Sequence, residues 1–212
     1  MQKLLLAPPL SLALGLFALL SCQKPLTPIE AEAKPNWTGW TLLSDGSSTD
    51  GWEMAGPGEF VVDEGALKAT GGMGLFWYAK QPFKDFTLSL EWQVTAKENN
   101  SGVFVRFPHP GIDPWVAVNQ GYELQICDPG GAKHDTGSVY SFQAASHIPT
   151  KSVGEWNHYE ITVIGQRYTV KINGERVNVF EGNRTLEGYI GLQNHDDASP
   201  VRYRNIYVKE IR

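Results

Sequence analysis

Three short stretches of this chain carry polar side chains whose types could do chemistry. Residues 99–107 (NNSGVFVRF), 121–128 (GYELQICD) and 189–195 (YIGLQNH) each alternate apolar and polar residues with a period of two, which is typical of β-strands. If these strands lie in one sheet with the stretch at 86–94, their polar residues form one surface. That surface consists of Glu91, Gln93, Arg106, Glu123, Gln125, Gln193 and His195.

The composition of this surface is that of a sugar-binding site. Carboxylates, amides and a guanidinium group pair with hydroxyl-rich ligands, and aromatic rings stack on the apolar faces of sugar rings. The bland interpretation stays open, since the outer face of a sheet is polar by default. The residues expected to contact a sugar are Gln125, Gln193, Glu91, Phe104, Asn100 and Tyr140, with Trp77, Tyr78 and Trp115 nearby.

The elements that must position these residues are strands. From Trp40 onward, runs of four to eight residues are punctuated by Gly, Pro, Asn and Asp, and no convincing helical spacing follows the N-terminal stretch. Asn173-Gly174 between two alternating runs indicates a hairpin, because a type I′ turn needs positive φ at both central residues. The pattern predicts an all-β domain, folded as a two-sheet antiparallel jelly-roll sandwich.

Charge excludes one class of partner. The 212 residues include 18 basic and 23 acidic side chains, a formal charge of −5, and no segment collects Lys and Arg. A nucleic-acid partner is therefore not expected.

The N-terminus has the pattern of an export signal. An apolar run from Leu10 to Leu20 follows Lys3 and is too short to span a bilayer comfortably. It ends at Ser21-Cys22, which resembles a bacterial lipoprotein signal; an ordinary secretory signal with a chance cysteine is the alternative. We expect residues 1–21 to be the signal peptide, Cys22 to be lipidated, 22–35 to be a tether and 36–212 to be the domain. The expected location is the bacterial cell envelope, at the periplasmic or outer-membrane surface, with the lipid as the only membrane contact.

The order of motifs resembles one known family. NSG-x-x-x-R, GYE-x-Q-x-x-D, GEWN and IGLQ-x-H followed by R-x-RNI occur in the order found in the 3-keto-disaccharide hydrolase domain family, over residues 37–212. The resemblance implies a concanavalin A-like jelly roll whose concave sheet holds the active site. It also implies an activity on glycosides already oxidised to a ketone at C3.

A C3 ketone makes the proton on C2 acidic. A base can remove that proton, the enolate can expel the C1 aglycone, and hydration of the resulting glycal gives net hydrolysis. This chemistry needs a base, a group that stabilises the enolate oxygen, and an acid for the leaving group. Glu123 or His195 is the expected base, Arg106 suits the oxyanion, and Asp128 or the other of the first pair is the expected acid. Direct hydrolysis by two carboxylates stays open, although the E-x-D-x-x-E string of laminarinase-type relatives does not occur here.

The sequence is also compatible with two further alternatives. Glu123, Asp128, His134 and His195 could together bind a divalent ion that polarises the C3 carbonyl, although no close ligand spacing such as H-x-H is present. No cofactor is otherwise expected. The domain could also be a non-catalytic, lectin-like module that holds cell-surface glycans. The sequence does not predict an oligomeric state.

Overall fold

The computed structural model describes residues 38–212. The expected signal peptide (1–21), lipidated Cys22 and tether (22–35) lie outside the described residues and stay predictions. Among residues 38–212, no helix has the length and hydrophobicity needed to cross a bilayer.

Within these residues the chain forms thirteen strands and two short helical segments. The strands are β1 (Thr41–Ser44), β2 (Trp52–Ala55), β3 (Glu59–Asp63), β4 (Ala66–Thr70), β5 (Gly74–Tyr78), β6 (Phe86–Gln93), β7 (Ser101–Phe107), β8 (Tyr122–Ile126), β9 (Asn157–Ile164), β10 (Arg167–Ile172), β11 (Glu175–Glu181), β12 (Tyr189–Asn194) and β13 (Arg202–Glu210). Helix α1 spans Trp115–Gln120, and a single 3₁₀ turn spans Ala132–His134.

The strands form two antiparallel sheets. The eight-stranded sheet has the order β11-β10-β9-β6-β13-β4-β3, with β1 added on β13, and the five-stranded sheet has the order β2-β5-β12-β7-β8. The prediction of an all-β, two-sheet antiparallel sandwich is confirmed. The hairpin between β10 and β11 turns at Asn173 and Gly174, with φ values of 51° and 85° as a type I′ turn requires.

The core lies between the two sheets and follows the period-two pattern. In β6 the residues Leu88, Leu90 and Trp92 are fully buried and face the inward residues of the five-stranded sheet, such as Leu124 and Leu192. Tyr78 also belongs to this core, beside Trp52 and Phe83, so it does not reach the outer face.

The five-stranded sheet is unusual because its outer face is also partly covered. A second apolar cluster lies there, made of Ala55, Leu75, Trp77, Phe104, Phe107 and Ala117. Ala117 comes from helix α1, which packs on β7 and β8. The solvated outer face considered from the sequence is therefore wrong for this sheet.

The cover is the segment 108–120, which we call the strap. Pro114 (φ −66°) is the N-cap of α1, and Asp113 Oδ1 accepts the Trp115 N–H at 3.0 Å, so a proline of fixed φ and an Asx turn precede the helix. The sequence indicated no helix here, because a six-residue helix spans fewer than two turns and shows no periodicity. His109 fixes the start of the strap by packing edge-on against Trp77, with ring centroids 4.7 Å apart.

Candidate active site

A cleft of about 320 Å³ opens on the outer face of the five-stranded sheet, beside the strap. Seven of the residues expected from the sequence line it: Asn100, Phe104, Glu123, Gln125, Tyr140, Gln193 and His195. Trp115 lines it as well. Sequence reasoning missed the remaining lining residues, which are Met73, Gly74, Pro114 and Val118.

The strand register explains the floor of the cleft. Across β8, β7, β12 and β5, one row runs through Glu123, Phe104, Gly191 and Trp77. In the next row Gln125 stands opposite Gly102, and Gln193 stands opposite Leu75. The side chains within a row point to the same face, so the carboxyl and the two amides become neighbours although they are far apart in the chain.

Gly102 makes room for the carboxyl group of Glu123. A Cβ atom at position 102 would overlap the Glu123 carboxyl, so the Glu123 side chain lies over the glycine. The glycine of the NSG motif is therefore explained by packing, because any side chain at position 102 would displace the Glu123 carboxyl.

Glu123 is the buried acid of the cleft. The residue is 5% exposed, and its Oε1 has no hydrogen-bond partner among the described residues. Burial raises the pKa of Glu123 to about 8, because the apolar surroundings disfavour the charged form. At neutral pH the group is therefore mostly protonated, and it can donate a proton or a hydrogen bond to a ligand.

The two glutamines of the floor present unused acceptors. Gln125 Nε2 donates to Asn100 Oδ1 at 3.1 Å, which fixes the orientation of both amides. Gln125 Oε1 and Gln193 Oε1 are buried and, within the described part of the chain, accept no hydrogen bond. Buried acceptors without a partner are costly, so this pair is suited to receive hydroxyl hydrogens of a bound ligand.

His195 lines the cleft and is held by a carboxylate. Its Nδ1 lies 2.6 Å from Asp196 Oδ2, and 43% of its side chain is exposed. Burial alone would raise the pKa of Asp196, but hydrogen bonds from His195 and Ser199 hold that pKa below its usual value. With Nδ1–H donating to Asp196, the Nε2 lone pair is free to take a proton from a ligand. The sequence analysis did not predict a role for Asp196, although its position next to His195 in the chain could have indicated one.

Arg106 does not reach the cleft, which corrects the expectation that it binds an oxyanion. Its side chain is fully buried and donates to the carbonyls of Lys84 and Thr185 and to Asp85 Oδ1 at 3.1 Å. The cause is a β-bulge: Tyr189 pairs with Phe107 and Ile190 pairs with Val105, so Arg106 is an extra residue with φ +59°. The bulge reverses the alternation, and Phe107 joins Phe104 on the outer face instead.

Two other expected residues also lie elsewhere. Asp128 follows the end of β8 and accepts hydrogen bonds from Thr136 (2.7 Å) and Thr150 (3.1 Å), outside the cleft. Glu91 lies in β6 of the eight-stranded sheet, together with Gln93, and accepts from Arg204 and Asn205. The expectation that Asp128 is an acid and that Glu91 binds substrate is therefore wrong.

The four residues considered as metal ligands, which are Glu123, Asp128, His134 and His195, do not lie together in one site. Among residues 38–212, no three His, Cys, Asp or Glu side chains lie close enough together to hold a metal ion. His134 packs instead against the ring of Tyr140 at 4.7 Å, with its Nε2 3.3 Å from Ser141 Oγ.

The sequence of residues 39–209 matches the profile of the 3-keto-alpha-glucoside-1,2-lyase-like domain. The chain belongs to this family. The match covers almost all of the described residues and contains the whole cleft, so the lyase-like domain has a glycoside-related function. The comparison with curated proteins gives no match.

Solved structures with similar folds include enzyme candidates and sugar binders. A candidate glycosyl hydrolase from Parabacteroides distasonis superposes with a TM-score of 0.71 at 19% identity, covering 82% of this chain and 95% of its own. A second candidate glycosyl hydrolase from that organism gives 0.64 at 26% identity, with 82% and 84% covered. The carbohydrate binding module CBM66 from Bacillus subtilis gives 0.59 at 13% identity, with 76% and 96% covered. The lyase-like domain thus shares its fold with both classes.

The raised pKa of Glu123 predicts a stability effect in the lyase-like domain. The folded state holds its proton up to about pH 8, whereas the unfolded chain releases it near 4.5. The contribution of neutral Glu123 to stability is therefore fully present below pH 4.5 and is lost as the pH rises through 8. Glu123→Gln does not undergo this loss. The free energy of unfolding of the variant, relative to that of the wild type, should therefore increase by up to about 5 kcal/mol between pH 4.5 and 8.5.

Urea unfolding at both pH values measures this effect. Glu53→Gln is the matched control, because Glu53 stands opposite Trp77 on the same outer face but is exposed. An equal difference between wild type and Glu123→Gln at both pH values would show that Glu123 is not a buried acid.

Proposed function

We propose that this chain is an enzyme that cleaves 3-keto-glycosides by elimination across C1 and C2, followed by hydration. The observation that carries the proposal is the presence of two different proton-transfer groups in one cleft. Glu123 holds its proton at neutral pH because it is buried, and His195 offers Nε2 because Asp196 holds its Nδ1. Elimination from a ketone needs such a pair, one group to take a proton and one to give it.

His195 takes the role of base. Its Nε2 removes the C2 proton, and the C2–H electron pair moves into the enolate of the C3 ketone. The exposed carboxylate of Asp196 stabilises the imidazolium that forms, and it fixes the tautomer with Nε2 unprotonated. The sequence had left Glu123 and His195 as alternatives for this role, and the high pKa of Glu123 supports His195.

Glu123 takes the role of acid. The enolate electrons return to re-form the C3 carbonyl, the C1=C2 double bond forms, and the C1–O bond breaks. Glu123 gives its proton to the departing oxygen, so the aglycone leaves as a neutral alcohol. Water then adds at C1 while C2 receives a proton, and the product is the free 3-keto sugar.

The sugar ring is held by the amides of the floor. The unused acceptors Gln125 Oε1 and Gln193 Oε1 receive sugar hydroxyls, and Phe104 gives the ring an apolar surface between them and the strap. Because Arg106 lies outside the cleft, the negative charge on the C3 oxygen is stabilised by amide N–H groups of the floor, including those of Asn100. These donors are neutral.

Incubation of the purified domain with 3-keto p-nitrophenyl glucoside and with a 3-keto-disaccharide, each beside its unoxidised parent, tests the proposal. The expected result is release of an aglycone from a 3-keto form and from neither parent, because the parents have no acidic C2 proton. Cleavage of a parent at a similar rate would favour direct hydrolysis, and an absence of product from all four compounds would contradict the enzyme proposal.

A lectin-like function is the second candidate. The similarity of the fold to a carbohydrate binding module favours it, and so do the amide acceptors, which bind hydroxyls without chemistry. Binding of the unoxidised disaccharide with no turnover of the 3-keto form is the result that separates this candidate from the enzyme.

The proposed place of action is the bacterial cell envelope. This part of the proposal depends on the sequence alone, through the signal-like residues 1–21 and Cys22. Globomycin-sensitive processing, together with loss of membrane association in Cys22→Ser, is the expected result for a lipid-anchored protein.

A further inference from the structure

The cleft has a polar floor and an apolar wall. The wall consists of Pro114, Trp115 and Val118 of the strap, and Met73 also lines the cleft. The strap crosses the sheet: a Cβ atom on Gly56, after β2, would come within 3.1 Å of Pro114 Cγ. Trp115 is the outermost of these residues and remains 53% exposed.

Helix α1 covers the end of the cleft at which the acid lies. Helix α1 packs on β7 and β8, and its Ala117 lies in the apolar cluster with Phe104. Following β7 away from the strap, Phe104 is succeeded by Gly102 and then by Asn100. Glu123 stands opposite Phe104, in the row nearest the strap. A sugar on the amide floor would therefore direct C1, beside the acid, towards the wall.

Several backbone groups of the wall already have partners within the chain. The Trp115 N–H donates to Asp113 Oδ1 and the Val116 N–H to the Asp113 carbonyl. The Ala117 carbonyl accepts from the Gly121 N–H. The Val118 carbonyl accepts from Arg184 Nη1 at 3.2 Å, and Pro114 has no N–H.

We propose that the leaving group is an apolar, ring-containing aglycone that stacks on Trp115, and not a second sugar. The inference rests on the proposed function for the placement of the sugar ring. The wall presents the side chains of Pro114, Trp115 and Val118, and of these three only the Trp115 indole carries a hydrogen-bonding group. A second sugar could also stack on the indole, but it would bring more hydroxyls than this one donor can pair, and each hydroxyl removed from water without a partner weakens binding. An aromatic or alicyclic aglycone loses nothing there and gains the contact with the indole ring.

Binding of two unoxidised glucosides of the same anomer tests the inference apart from catalysis. The probes are p-nitrophenyl glucoside and a glucosyl disaccharide, titrated calorimetrically into the wild-type domain. The aryl glucoside should bind at least about tenfold more tightly. Trp115→Ala should remove most of that preference, with less than about a threefold change for the disaccharide.

Two further variants sharpen the comparison. Ile112→Ala is the matched control, because Ile112 is 89% exposed on the same strap and does not line the cleft; both affinities should stay unchanged. Val118→Thr adds a hydroxyl of nearly the same volume to the wall, and it should shift the preference towards the disaccharide.

Several results would overturn the inference. They are equal or tighter binding of the disaccharide, equal weakening of both ligands in Trp115→Ala, and no measurable binding of the aryl glucoside. None of these outcomes depends on turnover. A preference for the aryl glucoside without cleavage of its 3-keto form would contradict the proposed function, and it would leave only the binding of the apolar ring by the wall in place.

Discussion

Glu123→Gln should lower turnover more for a substrate with a poor leaving group than for one with a good leaving group. With a 3-keto alkyl glucoside, turnover should fall by about 10²–10⁴-fold, the usual contribution of a general acid. With the 3-keto p-nitrophenyl glucoside the fall should be within about tenfold. An alkoxide leaves slowly without a proton, so its departure limits the variant, whereas p-nitrophenolate leaves without help.

The pH dependence provides a second signature of the same role. Burial raises the pKa of Glu123 to about 8, and the acid must be protonated to act. Wild-type turnover of the alkyl glucoside should therefore decline as the pH rises through about 8, and this decline should be absent in Glu123→Gln. Glu53→Gln, on the same face of the sheet and exposed, should match the wild type. An equal loss on both substrates would show that Glu123 does not protonate the leaving group.

His195→Ala should instead lose activity on both substrates alike. The base acts on C2 before the leaving group departs, so its removal should lower turnover by about 10²–10⁴-fold whatever the aglycone. Substrate affinity should change little, because the amide floor and the strap remain. The measurement is kcat and KM for the same alkyl and aryl pair.

The chain offers a close control for this variant. His147 also faces a carboxylate, with its Nε2 3.0 Å from Glu175, and it is 46% exposed compared with 43% for His195. It lies away from the cleft, so His147→Ala should keep full turnover. Loss of activity on the alkyl glucoside alone would mean that His195 assists the leaving group and that another group is the base.

Burial of Glu123 also lowers the stability of the folded domain at alkaline pH. Glu123 is held over Gly102 in a nearly dry site, and its charged form is disfavoured there. The stability that Glu123→Gln should recover at alkaline pH and the activity that it should lose have the same origin. A polar group that is kept buried at this expense is better explained by chemistry than by packing.

The alternation of residues predicted the polar floor well. Glu123, Gln125 and Gln193 lie on regular strands of one sheet, so a period of two was enough to place them on one face. The same rule failed at Arg106, because one extra residue in β7 reverses every side chain beyond it and the sequence carries no signal for a bulge. It failed differently at Glu91, since alternation gives the face of a strand but not the sheet to which the strand belongs.

The wall could not be predicted for a different reason. The strap has only six helical residues, and its position is set by distant contacts: Pro114 near Gly56 and His109 on Trp77. None of these contacts leaves a periodic pattern in residues 108–120. The family resemblance predicted the sandwich and the cleft face, but not the apolar surface that faces the proposed leaving group.

Incorporation of deuterium at C2 tests the central claim most directly. The wild-type domain is incubated with a 3-keto glucoside in D₂O, and the released 3-keto sugar is analysed by mass spectrometry and NMR at early times, with the free 3-keto sugar in D₂O as the control for spontaneous exchange. Elimination and hydration predict deuterium at C2 of the product, because C2 loses its proton to His195, whose exposed imidazolium exchanges that proton with D₂O before C2 is protonated again. Product that keeps its original hydrogen at C2 would contradict the account, since the C1–O bond would then have broken without removal of the C2 proton.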